Sequence, residues 1–171
     1  MRPAIPALVA LAVVPACSAS RPVPALFDSR VPLEPLLAKL KASNGDQSRI
    51  LRPHGVSDLA ALESGKRYKF IVDRDGRLAI APLPADAASN EYVHPVLGGG
   101  EPVRTAGGLR VERDGTVIRK VVVDQDSKSY CPTGDSLAGA LTALSNLGVP
   151  ADRLRVENRP PVCADVAEAI R

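Results

Sequence analysis

The chain has 171 residues, enough for one domain with peripheral segments and a buried core. Its 45% hydrophobic and 24% charged residues are those of a globular chain, and 3% aromatics with no Trp weighs against stacking platforms for single-stranded nucleic acid. The net charge of +3 is spread over interspersed Arg, Lys, Asp and Glu, so no phosphate-tracking surface and no nucleic-acid partner is expected.

The first stretch, MRPAIPALVALAVVPAC, places one Arg before an uncharged, mostly apolar run from Pro3 to Ala16. It has the form of a secretory signal and is too short to span a bilayer as a helix. Two processing routes compete. Val14-Pro15-Ala16-Cys17 resembles a bacterial lipobox, in which Cys17 is lipidated; Cys17-Ser18-Ala19 also suits simple cleavage after Ala19. Either route predicts an exported protein, on the periplasmic face of a bacterial membrane or soluble in the periplasm or medium. Residues 1–19 are thus read as signal, 20–32 as a Pro-rich tether, and 33–171 as a single domain.

Leu33, Leu36, Leu37 and Leu40 recur at helical spacing, which predicts a short helix over 33–43 closed by Asn44-Gly45. Ser57 is placed to cap a second short helix, DLAALES, that stops at Gly65. The period then changes. RYKFIVD (67–73) and RLAIAPL (77–83) are β-rich runs joined through Arg74-Asp75-Gly76, and GLRVER (108–113) and TVIRKVVVDQ (116–125) are joined through Asp114-Gly115. Between these hairpins lies a long loop, 83–107, containing HPVLGGGEP; such loops are usually functional or hold further structure. Thr133 or Asp135 can cap a helix running to Asn146, ended by Gly148 and Pro150, and LRVEN (154–158) is a last strand candidate. The expected fold is α+β: a mainly antiparallel sheet of two hairpins plus a C-terminal strand, two short N-terminal helices and one longer C-terminal helix.

LAI (78–80), HPVLGGG (94–100), TAGGLRVERDG (105–115) and SKSYCP (127–132), followed by a helix to Leu147, occur in a telling order. This succession resembles the domain beside the IQ motif in plant IQ-motif-containing calmodulin-binding proteins and in bacterial and fungal relatives. Their pattern runs H-S-S-[FL]-L-A-G, then A-A-G-[RE]-[LI]-x-V-x-x-G, then S-G-H-Y-x-P. The likeness covers about 80 residues and implies a shared fold and a shared locale built from His94, the Gly98-Gly99-Gly100 loop, Tyr130 and Pro132. It also implies that His94 and Tyr130 share one pocket. The family's Gly-His before the Tyr is Lys128-Ser129 here, and its two Ser after the first His are Pro95-Val96. The sequence contains no IQ motif, so calmodulin binding does not carry over.

His94 could act in acid–base chemistry or order its loop by satisfying a carbonyl. The three glycines could approach an anion or form a plain turn; they match no phosphate-loop pattern. Asp73-Arg74-Asp75-Gly76 and Asp124-Gln125-Asp126 lack the further ligands of a calcium loop and read as turn and strand-end chemistry. His54 and His94 are the only histidines, neither is near a Cys in sequence, and no metal site or cofactor is read. Cys131 and Cys163 are read as a disulfide of an oxidising compartment, with a free Cys131 nucleophile beside Lys128 as the competing view. The functional expectation is an exported, lipid-anchored binding or interaction module with an unknown protein or small-molecule partner. An enzyme or toxin-like transferase with a pocket of His94, Lys128 and Tyr130, and a structural envelope protein, are the alternatives.

Overall fold

Strand β1 (Arg67–Asp73) alternates Tyr68, Phe70 and Val72 with Arg67, Lys69 and Ile71, so its two faces meet different surroundings. The first three join Leu78, Ile80, Leu109, Val111, Val121 and Val123 in the larger apolar cluster. Ile71 joins a smaller one with Ala79, Ala81, Leu97, Val103, Ala106 and Tyr130. The computed structural model describes residues 25–34, 37, 50–83 and 93–163. The proposed signal segment and most of the 33–43 helix lie outside them.

Five strands form one mixed sheet in the order β2-β1-β3-β4-β5, with β2 at Leu78–Pro82, β3 at Val103–Asp114, β4 at Val117–Val123 and β5 at Leu154–Val156. All pairs are antiparallel except β4 with β5, which is parallel over Val121–Val123 and Leu154–Val156. With its helices this is the expected α+β fold. Both hairpins turn through a glycine in the left-handed region, Gly76 (φ 85°) and Gly115 (φ 56°). In the first turn Asp73 accepts the N–H groups of Asp75 and Arg77, each at 2.9 Å, and the Arg77 Nε–H at 2.9 Å. Burial pushes the Asp73 carboxyl up, but these donors outweigh it and hold it below its ordinary value. This paired-carboxylate motif is turn chemistry.

Helix α3 (Leu137–Asn146) lays Leu137, Ala140, Ala143 and Leu144 on the larger cluster. It enters through a 3₁₀ turn, Gly134–Ser136, with Thr133 as cap residue but without a side-chain cap bond. It ends as the glycine implied: Gly148 N–H donates to Ser145 O at 2.9 Å and Val149 N–H to Leu144 O at 3.1 Å, with Gly148 at φ 93°. That pair of bonds satisfies the last carbonyls of the helix.

Several boundaries differ from expectation. Helix α1 is Val56–Leu59 and its cap residue is Gly55, not Ser57; the Asp58 carboxylate instead accepts the His54 N–H at 2.7 Å, securing the entry from inside the first turn. The long loop holds a helix, α2 (Val93–Gly98), and the first residues of β3. Strand β4 stops at Val123, because the Asp124 side chain there takes over the next N–H groups of the ladder. The described part of the Pro-rich stretch, 25–32, lies on the domain: Phe27 exchanges backbone bonds with Val103 at 2.8 and 3.0 Å, and Arg30 N–H donates to Ser129 O at 2.7 Å.

Gly107 and Gly108 lie side by side in β3, where the chain after β4 crosses closest. A Cβ on Gly107 would fall on the Asp124 carbonyl oxygen, with the carbonyl carbon 2.8 Å away. Gly107→Ala is therefore expected to destabilise the fold by about 3 kcal/mol, the upper part of the overpacking range, since backbone must move. Gly139→Ala is the control: its Cβ would meet only Arg104 Cβ, at 3.9 Å, inside a helix. It should stabilise by up to ~1 kcal/mol. Denaturant titration of both variants checks the contrast, and equal effects would contradict this placement of the 124–125 backbone.

Candidate functional site

His94 stands in the first turn of α2, where Pro95 needs no intrahelical donor and so is tolerated. With Leu97 it faces inward; the imidazole is 1% exposed. Nε2 lies 3.0 Å from the Gly107 carbonyl. A carbonyl only accepts, so Nε2 carries the proton and donates. Burial, with Lys69 adding repulsion, lowers the His94 pKa to about 3 against the modest support of the Gly107 carbonyl. The ring is neutral across the physiological range.

Helix α2 ends on the triple glycine. Gly99 N–H donates to Val96 O at 3.2 Å and Gly100 N–H to Pro95 O at 2.8 Å, with φ of 63° and 77°. These are the bonds of a helix stop in left-handed backbone, the same device that ends α3. Gly98 does something else. A Cβ there would lie 2.6 Å from the Tyr130 hydroxyl oxygen, so the missing side chain makes room for the Tyr ring. Tyr130 is 2% exposed and its hydroxyl donates to the Glu101 carbonyl at 3.0 Å. Burial, reinforced by the negative charges of Glu101 and Asp28, raises its pKa far above the ordinary value.

His94 and Tyr130 thus belong to one layer, joined through the two ends of α2, and both rings are buried. Lys128 is half-buried, and its charge reaches Lys69. Cys131 and Cys163 lie at disulfide distance, with Cα atoms 5.2 Å apart.

Between these groups lie Arg67 and Lys69, which no sequence pattern marked, and Asp124 and Asp126, which the sequence offered only as strand-end chemistry. Arg67 and Lys69, alternate residues of β1, point into a loop that carries Asp124 and Asp126. Asp124 is 3% exposed, and its carboxylate lies 2.8 Å from Arg67 Nη2 while accepting the N–H groups of Gly108 (2.9 Å) and Asp126 (3.0 Å). Arg67 also meets Asp126 at 3.0 Å. Lys69 Nζ donates to the Asp126 carbonyl at 3.2 Å and stands 3.8 Å from its carboxylate. Burial lowers the Lys69 pKa, partly offset by Asp126. The available signal was a Lys in the middle of an otherwise apolar strand, with Asp-x-Asp at the end of another. Such groups need partners when buried.

Among the described residues no group of three His, Cys, Asp or Glu could hold a metal ion, and no helix is long and apolar enough to cross a membrane. No family model matches the chain, and no curated protein and no solved structure is significantly similar to it.

His94 sets a pH dependence. The unfolded imidazole takes a proton near its ordinary pKa of 6.5, whereas the folded one refuses it down to about 3. Its contribution is intact above 6.5 and is lost as pH falls through that window. Between pH 7 and 4 the loss should be on the order of 3 kcal/mol. His94→Gln keeps an N–H donor for Gly107 and cannot titrate. The difference between the two stability–pH curves, measured by chemical denaturation, should widen in favour of the variant as pH drops; parallel curves would remove His94 as the cause.

Proposed function

We propose that the chain is an exported, lipid-anchored domain of the bacterial cell envelope that works as a binding and interaction module. The observation that carries the non-catalytic half is the inward commitment of the candidate groups. The His94 Nε2–H is spent on a backbone carbonyl in a ring that stays neutral, and the Tyr130 hydroxyl is spent on another. A general base working near neutral pH needs a pKa near that pH and access to its proton, and this imidazole has neither. Export is supported by the Arg-then-apolar start ending in Val14-Pro15-Ala16-Cys17. It is supported again by the Cys131–Cys163 pair, whose closure as a disulfide suits an oxidising compartment.

Fractionation of cells making the parent and the Cys17→Ser variant tests the anchor. The parent should sediment with membranes and be cut by protease added from the periplasmic side, and the variant should be released as soluble periplasmic protein. A soluble parent beginning at Ser20 removes the lipid, and a cytoplasmic parent removes export. Crosslinking of the anchored parent should give a discrete protein adduct that persists in His94→Gln. Turnover of a transfer or hydrolysis substrate that disappears in folded His94→Gln would instead establish the enzyme reading.

A further inference from the structure

The end of the described chain adds to the core mainly through Leu154, which is partly buried against the larger cluster. No residue from Leu154 to Cys163 is buried, and Val156 and Val162 are 52% and 74% exposed. Strand β5 adds three register positions at the sheet edge, followed by one bond from Glu157 N–H to Val123 O at 2.9 Å. Arg159 pairs with Glu157 two residues away, an exposed contact that ties the segment to itself rather than to the sheet. Arg110 stands 3.9 Å from Glu157. A further tie joins Cys163 to Cys131, with Cα atoms 5.2 Å apart.

The two cysteines are unlike. Cys163 is exposed. Cys131 directly follows the buried Tyr130, its N–H donates to Ser127 O at 2.9 Å, and its backbone sits at φ 49°. It is the one non-glycine residue among the described residues in the left-handed region, where an L side chain is strained. The bond therefore joins an exposed residue on a weakly held segment to a strained residue on a firmly held loop. Exposed or strained disulfides are the reducible, regulatory ones.

We propose that the Cys131–Cys163 bond is a reducible clasp that decides whether the Leu154–Cys163 segment stays on the sheet edge. It rests on the disulfide reading above. The reductant is a dithiol, small or protein-borne. One of its thiolates attacks Cys163 Sγ, the S–S bond breaks, and the electron pair leaves on Cys131 Sγ, which takes up a proton. The second thiol then displaces Cys163 from the mixed disulfide. The dithiol loses two electrons and closes its own disulfide, and the protein gains two thiols. The segment then keeps the short β5 pairing with Leu154 against the core, the Glu157–Val123 bond and the Arg110 contact, and opening of these uncovers the Val121–Val123 edge of β4.

Thiol counting by alkylation in denaturant, without reductant, comes first: no label on either residue is expected, and labelling of both removes the disulfide itself. The native full chain is then treated with dithiothreitol and followed by amide hydrogen exchange, beside Cys163→Ser. Protection at Arg155–Glu157 should fall by about tenfold or more in both, while β1 and β3 keep theirs. An intact bond that resists dithiothreitol until the protein is denatured overturns the clasp, as does unchanged protection after reduction. Loss of protection through β1 and β3 also overturns it, because the bond would then be a staple of the whole fold.

Discussion

Everything distinctive in this molecule depends on the chain after β4 crossing directly over Gly107 and Gly108. The Asp124 carbonyl occupies the space a side chain on Gly107 would need, and its carboxylate oxygen lies 2.7 Å from where a Cβ on Gly108 would stand. The approach closes because that carboxylate finds N–H groups on both sides, from Gly108 and from its own loop at Asp126. Arg67 balances its charge. A carboxylate this buried is tolerated only with such partners, and stripping one partner from a buried pair costs about 3–5 kcal/mol. Two glycines and one Asp–Arg pair therefore fix the course of residues 124–131. That course seats Tyr130 against Gly98 and delivers Cys131 to Cys163.

The two sides of the sheet divide the work. On the larger side, Tyr68, Phe70, Val72 and their neighbours meet α3 with no buried ionic pair among them, and hydrophobic burial supplies the driving force there. On the other side the apolar cluster is smaller and shares its layer with His94, Lys69 and Asp124. Asp124 takes Arg67 and the N–H groups of Gly108 and Asp126, Lys69 takes Asp126, and His94 takes the Gly107 carbonyl, a set of bonds that leaves the layer few alternative arrangements. Rigidity there has a consequence for function. The Nε2–H of His94 and the hydroxyl proton of Tyr130, already bonded to the Gly107 and Glu101 carbonyls, can be donated to a ligand only by giving up a buried hydrogen bond.

Much of the fold was legible because period and punctuation agree. The switch from leucines at helical spacing to strand alternation marks β1, and Asp-Gly and Asp-Arg-Asp-Gly mark the two turns. Gly148 announced the end of α3. Several of the misreadings were decided by a partner distant in sequence. Thr105-Ala106-Gly107 reads as loop because Gly and Ala are poor strand residues, yet it is strand because it pairs with Phe70–Val72 of β1 while the Asp124 backbone lies against Gly107. The triple glycine has the look of an anion cradle, but it ends a helix too short to stand out in the pattern. Lys69 went unnoticed and Asp124 was read as strand-end chemistry because pairing across 57 positions of sequence, as in Arg67 with Asp124, leaves no periodicity.

With His94 and Tyr130 buried, any partner of the proposed binding module would meet the outer faces of the elements they support. The exposed large apolar residues of the described chain are Leu26, Val56, Val117, Val156 and Val162. Three are scattered singly over its remaining surface, as is ordinary for a folded protein. Val156 and Val162 differ, since they occupy one extended segment that is pinned at β5 and at Cys131. A segment ordered before binding loses less conformational entropy on contact than a free tail does. Whatever holds that segment in place therefore also governs how well it can be recognised, which links the course of the 124–131 loop, through Cys131, to the surface a partner would meet.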